Sequence, residues 1–248
     1  INSGVFCLKK DRFQDVVWIG TDGQGVYLYS NPLYSIKSMV LSNYTEKIER
    51  PVRAIYLDDE RTFWVGTKGN GILKIYDYEF DKNISDCRAE VLTTSNSALS
   101  SNAVYCFAKS HRNLLWIGDE EGLTYYSYRE KRIKSIPIRI GNEDFKYIHD
   151  IYETADSELW LVSVGMGVVK ARIAGTPDNP VIVDAQRYII NDGELGSNYF
   201  FTIYAENEAN LLFGNKGYGV FRYNETTNGL EPVSTHKYEN MTLNNILA

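Results

Sequence analysis

Basic residues are not in excess, cysteine and proline are scarce, and long apolar runs are missing. The 248 residues hold 26 Lys+Arg against 32 Asp+Glu, a net charge of −6. A nucleic-acid binder presents a basic face to phosphates, so no nucleic-acid partner is expected. No stretch approaches the ~20 apolar residues that span a bilayer, and no membrane insertion by this segment is expected. The chain opens Ile1-Asn2-Ser3 without a charged-then-apolar leader, so a signal peptide is expected to be absent or already removed. Cys7, Cys87 and Cys106 lack close metal-type spacing and cannot all pair within one chain, which leaves the redox compartment open. There is no His-x-x-x-His or Cys-x-x-Cys spacing either, and neither a metal nor a cofactor is expected.

What is present points to strands. Hydrophobic residues make up 44% of the chain, enough for a core, and aromatic residues 13%, with 19 Tyr against 6 Pro and 3 Met. Tyr, Trp and Phe favour pleated, half-buried strands. A repeat then organises the chain. Val17-Trp18-Ile19-Gly20-Thr21-Asp22-Gly23-Gln24-Gly25-Val26 recurs as Phe63-Trp64-Val65-Gly66-Thr67-Lys68-Gly69-Asn70-Gly71-Ile72. Leu115-Trp116-Ile117-Gly118 begins a third copy, one residue shorter in its turn. The fourth has Trp160 with Val162 for the Gly, and the fifth has Leu212 for the Trp but keeps Gly214.

The period is about 48 residues, the range of propeller blades. Each unit reads as a first strand (Ala54–Leu57, Val104–Phe107) and a polar turn, followed by the Trp strand and a Gly-rich turn. A third strand (Gly25–Tyr29, Ile72–Tyr76, Val220–Tyr223) and a weaker fourth (Ile36–Val40, Ile133–Ile138) complete it. The expected fold is therefore all-β, a β-propeller of four-stranded antiparallel blades. Its units are expected at about 1–48, 49–98, 99–142, 143–194 and 195–240, with 241–248 opening a further blade. Asn244-Asn245-Ile246-Leu247 resembles the first-strand entry Ser101-Asn102-Ala103-Val104, so the chain reads as five blades of a longer, seven-bladed propeller.

These residues resemble the two-component regulator propeller repeat. That repeat combines a Ser-Asn-x-Val entry, a polar turn, Leu-Trp-Ile-Gly-Thr, a Gly-rich turn and a closing apolar-x-x-Tyr strand. The third unit carries it most fully, in Leu99-Ser100-Ser101-Asn102-Ala103-Val104-Tyr105, Leu115-Trp116-Ile117-Gly118, Gly122-Leu123, and Tyr126 to Tyr128. The resemblance implies an extracytoplasmic sensor module of a hybrid two-component histidine kinase, periplasmic or extracellular-facing. It implies a parent anchored in the inner membrane, dimeric, and responsive to oligosaccharides from glycan breakdown. A non-catalytic scaffold in a cell-surface or secretion assembly is the other role the family suggests.

The remaining motifs divide between structure and binding. Gly20-x-x-Gly23-x-Gly25 is succeeded by a strand rather than a helix N-terminus, so it is a strand-to-strand turn and not a phosphate loop. Trp18, Trp64, Trp116 and Trp160, with Gly20, Gly66, Gly118 and Gly214, are read as blade packing. His111, His149 and His236 and the acidic clusters Asp58-Asp59-Glu60 and Asp119-Glu120-Glu121 mark no triad or carboxylate pair, so the segment is read as non-enzymatic. The acidic clusters are read as solvated turn charges. In a propeller the first-strand entry and the turn between second and third strands share one face. Arg53, Asn102, Tyr147, His149, Asn198 and Tyr199 at the entries, and Lys68 and Lys216 in the turns, change type from blade to blade. Variation on a constant frame is what a binding site on a scaffold looks like, and these eight are the candidate ligand-binding residues.

Overall fold

The structure is a computed structural model that describes residues 2–30, 35–39, 41, 48–79, 87–190 and 197–233. Every regular element among them is a strand, and five four-stranded antiparallel sheets form the blades of a β-propeller. The first blade is β1 (Val5–Lys10), β2 (Val16–Thr21), β3 (Val26–Ser30) and β4 (Ser35–Met39). The second is β5 (Val52–Leu57), β6 (Phe63–Thr67), β7 (Ile72–Ile75) and β8 (Ala89–Leu92). The third is β9 (Val104–Lys109), β10 (Leu114–Asp119), β11 (Leu123–Ser127) and β12 (Arg132–Ser135). A two-residue hairpin, β13 (Arg139–Ile140) and β14 (Glu143–Asp144), comes next. The fourth blade is β15 (Ile148–Glu153), β16 (Glu158–Ser163), β17 (Gly167–Thr176) and β18 (Asn179–Tyr188). The fifth is β19 (Phe200–Asn207), β20 (Asn210–Asn215), β21 (Gly219–Asn224) and β22 (Gly229–Pro232). Strands follow chain order within every sheet. The expected further blade at 241–248 and the unit boundaries near 194 and 240 lie outside the described residues.

The chain divides into two compact units, Ile1–Phe107 and Ala108–Ala248. In the first, two blades press their faces together around Trp18, whose ring lies 4.3 Å from Phe63 and 4.9 Å from Tyr78. Val26, Leu28, Val52, Ile55, Val65, Leu73 and Ile75 complete that core. The glycines two residues beyond Trp18 and Trp64 are dictated by this packing. A Cβ on Gly20 would lie 2.4 Å from Cys7 Sγ and 3.3 Å from Val52, and one on Gly66 would lie 2.8 Å from Val104. Contacts under about 3 Å force a shift, so only glycine admits the adjoining first strand at this distance.

The acidic clusters divide: Asp59, Glu60 and Glu121 are exposed as read, while the leading Asp58 and Asp119 are buried, as is Asp11 in the first blade. Asp11 and Asp58 are buried at the β1–β2 and β5–β6 turns. Asp11 Oδ1 accepts from the backbone N–H of Phe13 and Gln14, at 2.8 and 3.0 Å, and its Oδ2 accepts from Trp18 Nε1 at 2.9 Å. Asp58 repeats the pattern with Glu60 and Thr62 N–H and with Trp64 Nε1 at 2.9 Å. Each carboxylate therefore closes a turn and satisfies a buried indole at once, which offsets the cost of burying its charge. Asp119, also buried, accepts from the N–H of Glu121 and Gly122.

The second unit packs in the same style, with Trp160 5.5 Å from Phe213, 4.7 Å from Tyr223 and stacked 5.9 Å from Tyr188. Two departures from the repeat stand out. The fourth strand of blade three ends at Ser135 rather than Ile138, because Pro137 has no N–H to continue the ladder. In blade four, β17 and β18 run ten residues each, past a register shift at Arg172/Ile173, to a tip tied by Asp178 to Arg129. Nothing in the repeat signals that extension.

Candidate functional site

A local device repeated from blade to blade positions the candidate residues. The backbone N–H of the turn residue donates to the carbonyl of the first-strand entry in the same blade. Asp22 bonds Gly4, Lys68 bonds Pro51, Val164 bonds Tyr147 and Lys216 bonds Tyr199, at 2.9 to 3.2 Å. First-strand entry and Gly-rich turn therefore share one face, as the repeat implied.

The entry residues themselves separate into three positions with different work. Asn102 and Asn198 come first and are latches. The Asn102 carbonyl accepts from Gly69 and Gly71 N–H, and the Asn198 carbonyl from Gly165 and Gly167 N–H. Their side chains are engaged too: Asn102 Oδ1 accepts from Thr94 N–H at 2.9 Å, and Asn198 bonds both N–H and carbonyl of Ile190. These amides hold backbone, which leaves the side chains of the other two positions as the candidates.

The second position holds Tyr147 and Tyr199, both exposed. In the second unit it forms a continuous row across three blades. Tyr147 N–H donates to the Glu120 carbonyl, Val164 N–H to the Tyr147 carbonyl, and Lys216 N–H to the Tyr199 carbonyl. Val164 is also bridged to Tyr199, which closes the order Glu120, Tyr147, Val164, Tyr199, Lys216. Adjacent strands lie ~4.8 Å apart, so the two tyrosine backbones stand two rungs, or about 10 Å, apart. Tyr147 adopts φ +55°, unusual for so bulky a residue and costing about 1 kcal/mol. Just before it, Glu121 pairs with the Lys146 ammonium and holds it above the usual lysine range.

The third position is a β-bulge. Register shifts fall at Val5/Cys7, Val52/Ala54, Ile148/Asp150 and Phe200/Thr202, which makes Phe6, Arg53, His149 and Phe201 the bulged residues. A bulge leaves its residue outside the ladder and re-aims its side chain. The pairs meet within each unit: the Arg53 guanidinium lies 3.7 Å over the Phe6 ring, and the His149 ring is edge-on to Phe201 at 5.1 Å. Sequence reasoning found Arg53 and His149 but not Phe6 and Phe201, since a bulge adds one residue without changing the apolar pattern. It also missed exposed Tyr218, held between Gly217 and Gly219, both at positive φ, one residue beyond Gly217 from Lys216.

No family model matches the chain. Over 140 residues, 51% of its length, it is 31% identical to translation initiation factor 6 of Saccharolobus solfataricus, of which it covers 57%. Among solved structures it is similar to the extracellular domain of a one-component system of B. thetaiotaomicron, at 15% identity and a TM-score of 0.63, covering 98% of this chain and 44% of that one. It is similar to PorZ, a surface component of the type-IX secretion system of Porphyromonas gingivalis, at 15% identity and a TM-score of 0.64, over 95% of this chain and 33% of that one. A streptogramin B lyase matches at 13% identity and a TM-score of 0.64, over 92% of this chain and 68% of that one. At these identities the shared property is the propeller fold.

Proposed function

We propose that the chain is an extracytoplasmic ligand-sensing propeller of a two-component sensor that takes glycan-derived oligosaccharides on the tyrosine row of its second unit. The row itself carries the reading. Tyr147 and Tyr199 are large, exposed and rigidly spaced by backbone bonds, which suits stacking on the apolar faces of sugar rings. His149 and Lys216 supply donors for hydroxyls beside them. Support comes from the resemblance to the two-component regulator repeat and from the likeness to an extracellular domain over 98% of the chain. The role is non-catalytic. On this reading the parent is a dimer anchored in the inner membrane, and ligand shifts its arrangement to reach a histidine kinase.

Calorimetry of the chain against a panel of neutral oligosaccharides tests it. Saturable binding is expected, weakened about threefold to tenfold by Tyr147→Ala or Tyr199→Ala with unfolding unchanged. Absence of binding to the whole panel removes the sensor reading. It leaves the scaffold role, which the likeness to PorZ favours, to be sought through protein partners. Turnover of a panel member points to an enzyme instead.

A further inference from the structure

We infer that the entry face of the second blade, within the first unit, is a binding site for an oxyanion group (carboxylate, sulfate or phosphate) centred on Arg53, with Arg50 and Lys68 beside it. Nearby cations in this unit are matched to carboxylates: Arg12 to Asp59, Arg61 to Glu79 and Lys74 to Glu90. Arg50, Arg53 and Lys68 have no such partner among the described residues. Backbone bonds tie the turn that carries Lys68 to the strand entry at 50–53 that carries Arg50 and Arg53. Lys68 N–H donates to the Pro51 carbonyl at 2.9 Å, and Arg50 N–H donates to Asn70 Oδ1 at 3.0 Å. The Arg50 stem lies along Gly69, its Cγ 3.4 Å from where a Cβ there would sit. Three uncompensated cations in so small an area are not background in a chain of net charge −6.

Arg53 adds direction to that charge. The bulge turns its side chain out of the ladder, and stacking on Phe6 at 3.7 Å sets the plane of the guanidinium. Its Nε–H is buried and has no acceptor. A buried donor left unmade is costly, and the stacked plane keeps it from turning towards water. An oxyanion arriving at the end of the guanidinium accepts from its two Nη–H groups together, a fork geometry that carboxylates, sulfates and phosphates share. Arg50 and Lys68 then act as point charges beside it. This site is independent of the saccharide reading.

The test is isothermal calorimetry of the 248-residue chain with sodium sulfate, sodium phosphate and sodium glucuronate, each at fixed ionic strength set by chloride. Saturable one-to-one binding of at least one is expected, and the three arms tell which oxyanion the site prefers. Arg53→Lys keeps the charge but loses the fork, and weakens that binding about tenfold. The double variant Arg50→Gln/Lys68→Gln weakens it about threefold and lowers its salt dependence. Lack of saturable binding to all three, or equal binding by the chain and its Arg53→Lys variant, overturns the inference. Should Arg53→Lys fail to fold by circular dichroism, unchanged affinity in the double variant overturns it instead.

Discussion

In the first unit each tryptophan is bonded by an aspartate of its own blade, whereas in the second Trp116 is bonded by Glu153 of the next one. Ser110 stands where Asp11 and Asp58 stand in the earlier blades, and a hydroxyl there does not replace the carboxylate. Glu153, at the end of β15, takes over: its Oε2 accepts from Trp116 Nε1 at 2.7 Å, from the Ser110 hydroxyl and from His111 N–H, while Oε1 faces Arg112 Nε at 3.5 Å. The own-blade acid closes a local turn. The borrowed acid ties two blades together, so loss of one side chain is felt in both.

The largest expected effect tests that difference. Glu153→Ala removes the acceptor of the buried Trp116 indole and Ser110 hydroxyl and the carboxylate facing Arg112, and should cost about 3–5 kcal/mol in urea unfolding. Asp58→Ala removes a local acceptor and should cost about 1–3 kcal/mol. Equal losses would break the comparison. Restoring an own-blade acid sharpens it: Ser110→Asp on the Glu153→Ala background should recover part of the loss.

A second contrast lies inside the first unit. Gly71 and Gly23 occupy the same kind of turn at φ +75° and +81°. A Cβ on Gly71 would meet the Leu92 carbonyl oxygen at 2.2 Å, while one on Gly23 meets nothing within 4 Å. Gly23→Ala should therefore cost only the left-handed backbone term of about 1 kcal/mol, and Gly71→Ala about 2–4 kcal/mol once the clash is added. Thermal unfolding of both variants reads the gap.

The smallest effect is alkaline. Burial pushes the Cys7 thiol up from 9.0 to about 12. The folded state holds this proton more tightly than the unfolded chain, so its contribution is complete below pH 9 and is lost as pH rises from 9 towards 12. Cys7→Ala should flatten that part of the stability profile, and Cys7 should resist alkylation at pH 8 until the chain unfolds.

The blades were legible because Trp18, Trp64, Trp116 and Trp160, the glycines that follow three of them and the polar turns recur on a period of about 48 residues. The site was legible in part. Tyr147, Tyr199, Arg53 and His149 are visible as variation at a fixed repeat position. Their separation into a row and a bulge is not, because one inserted residue shifts the register by one while leaving composition unchanged. Asn102 and Asn198 look like ligand contacts in the sequence and are occupied by backbone in the structure. The extension of β17 and β18 also escaped, since it lies beyond the repeated segment.

The sequence by itself determined fold class and blade order, because apolar alternation and turn chemistry are local and recur. The tertiary structure alone decided which carboxylate answers Trp116, which side chains the bulges bring together, and which asparagines are latches. Those outcomes depend on partners 37 or more positions away in the case of Glu153, and on register, neither of which a local pattern records.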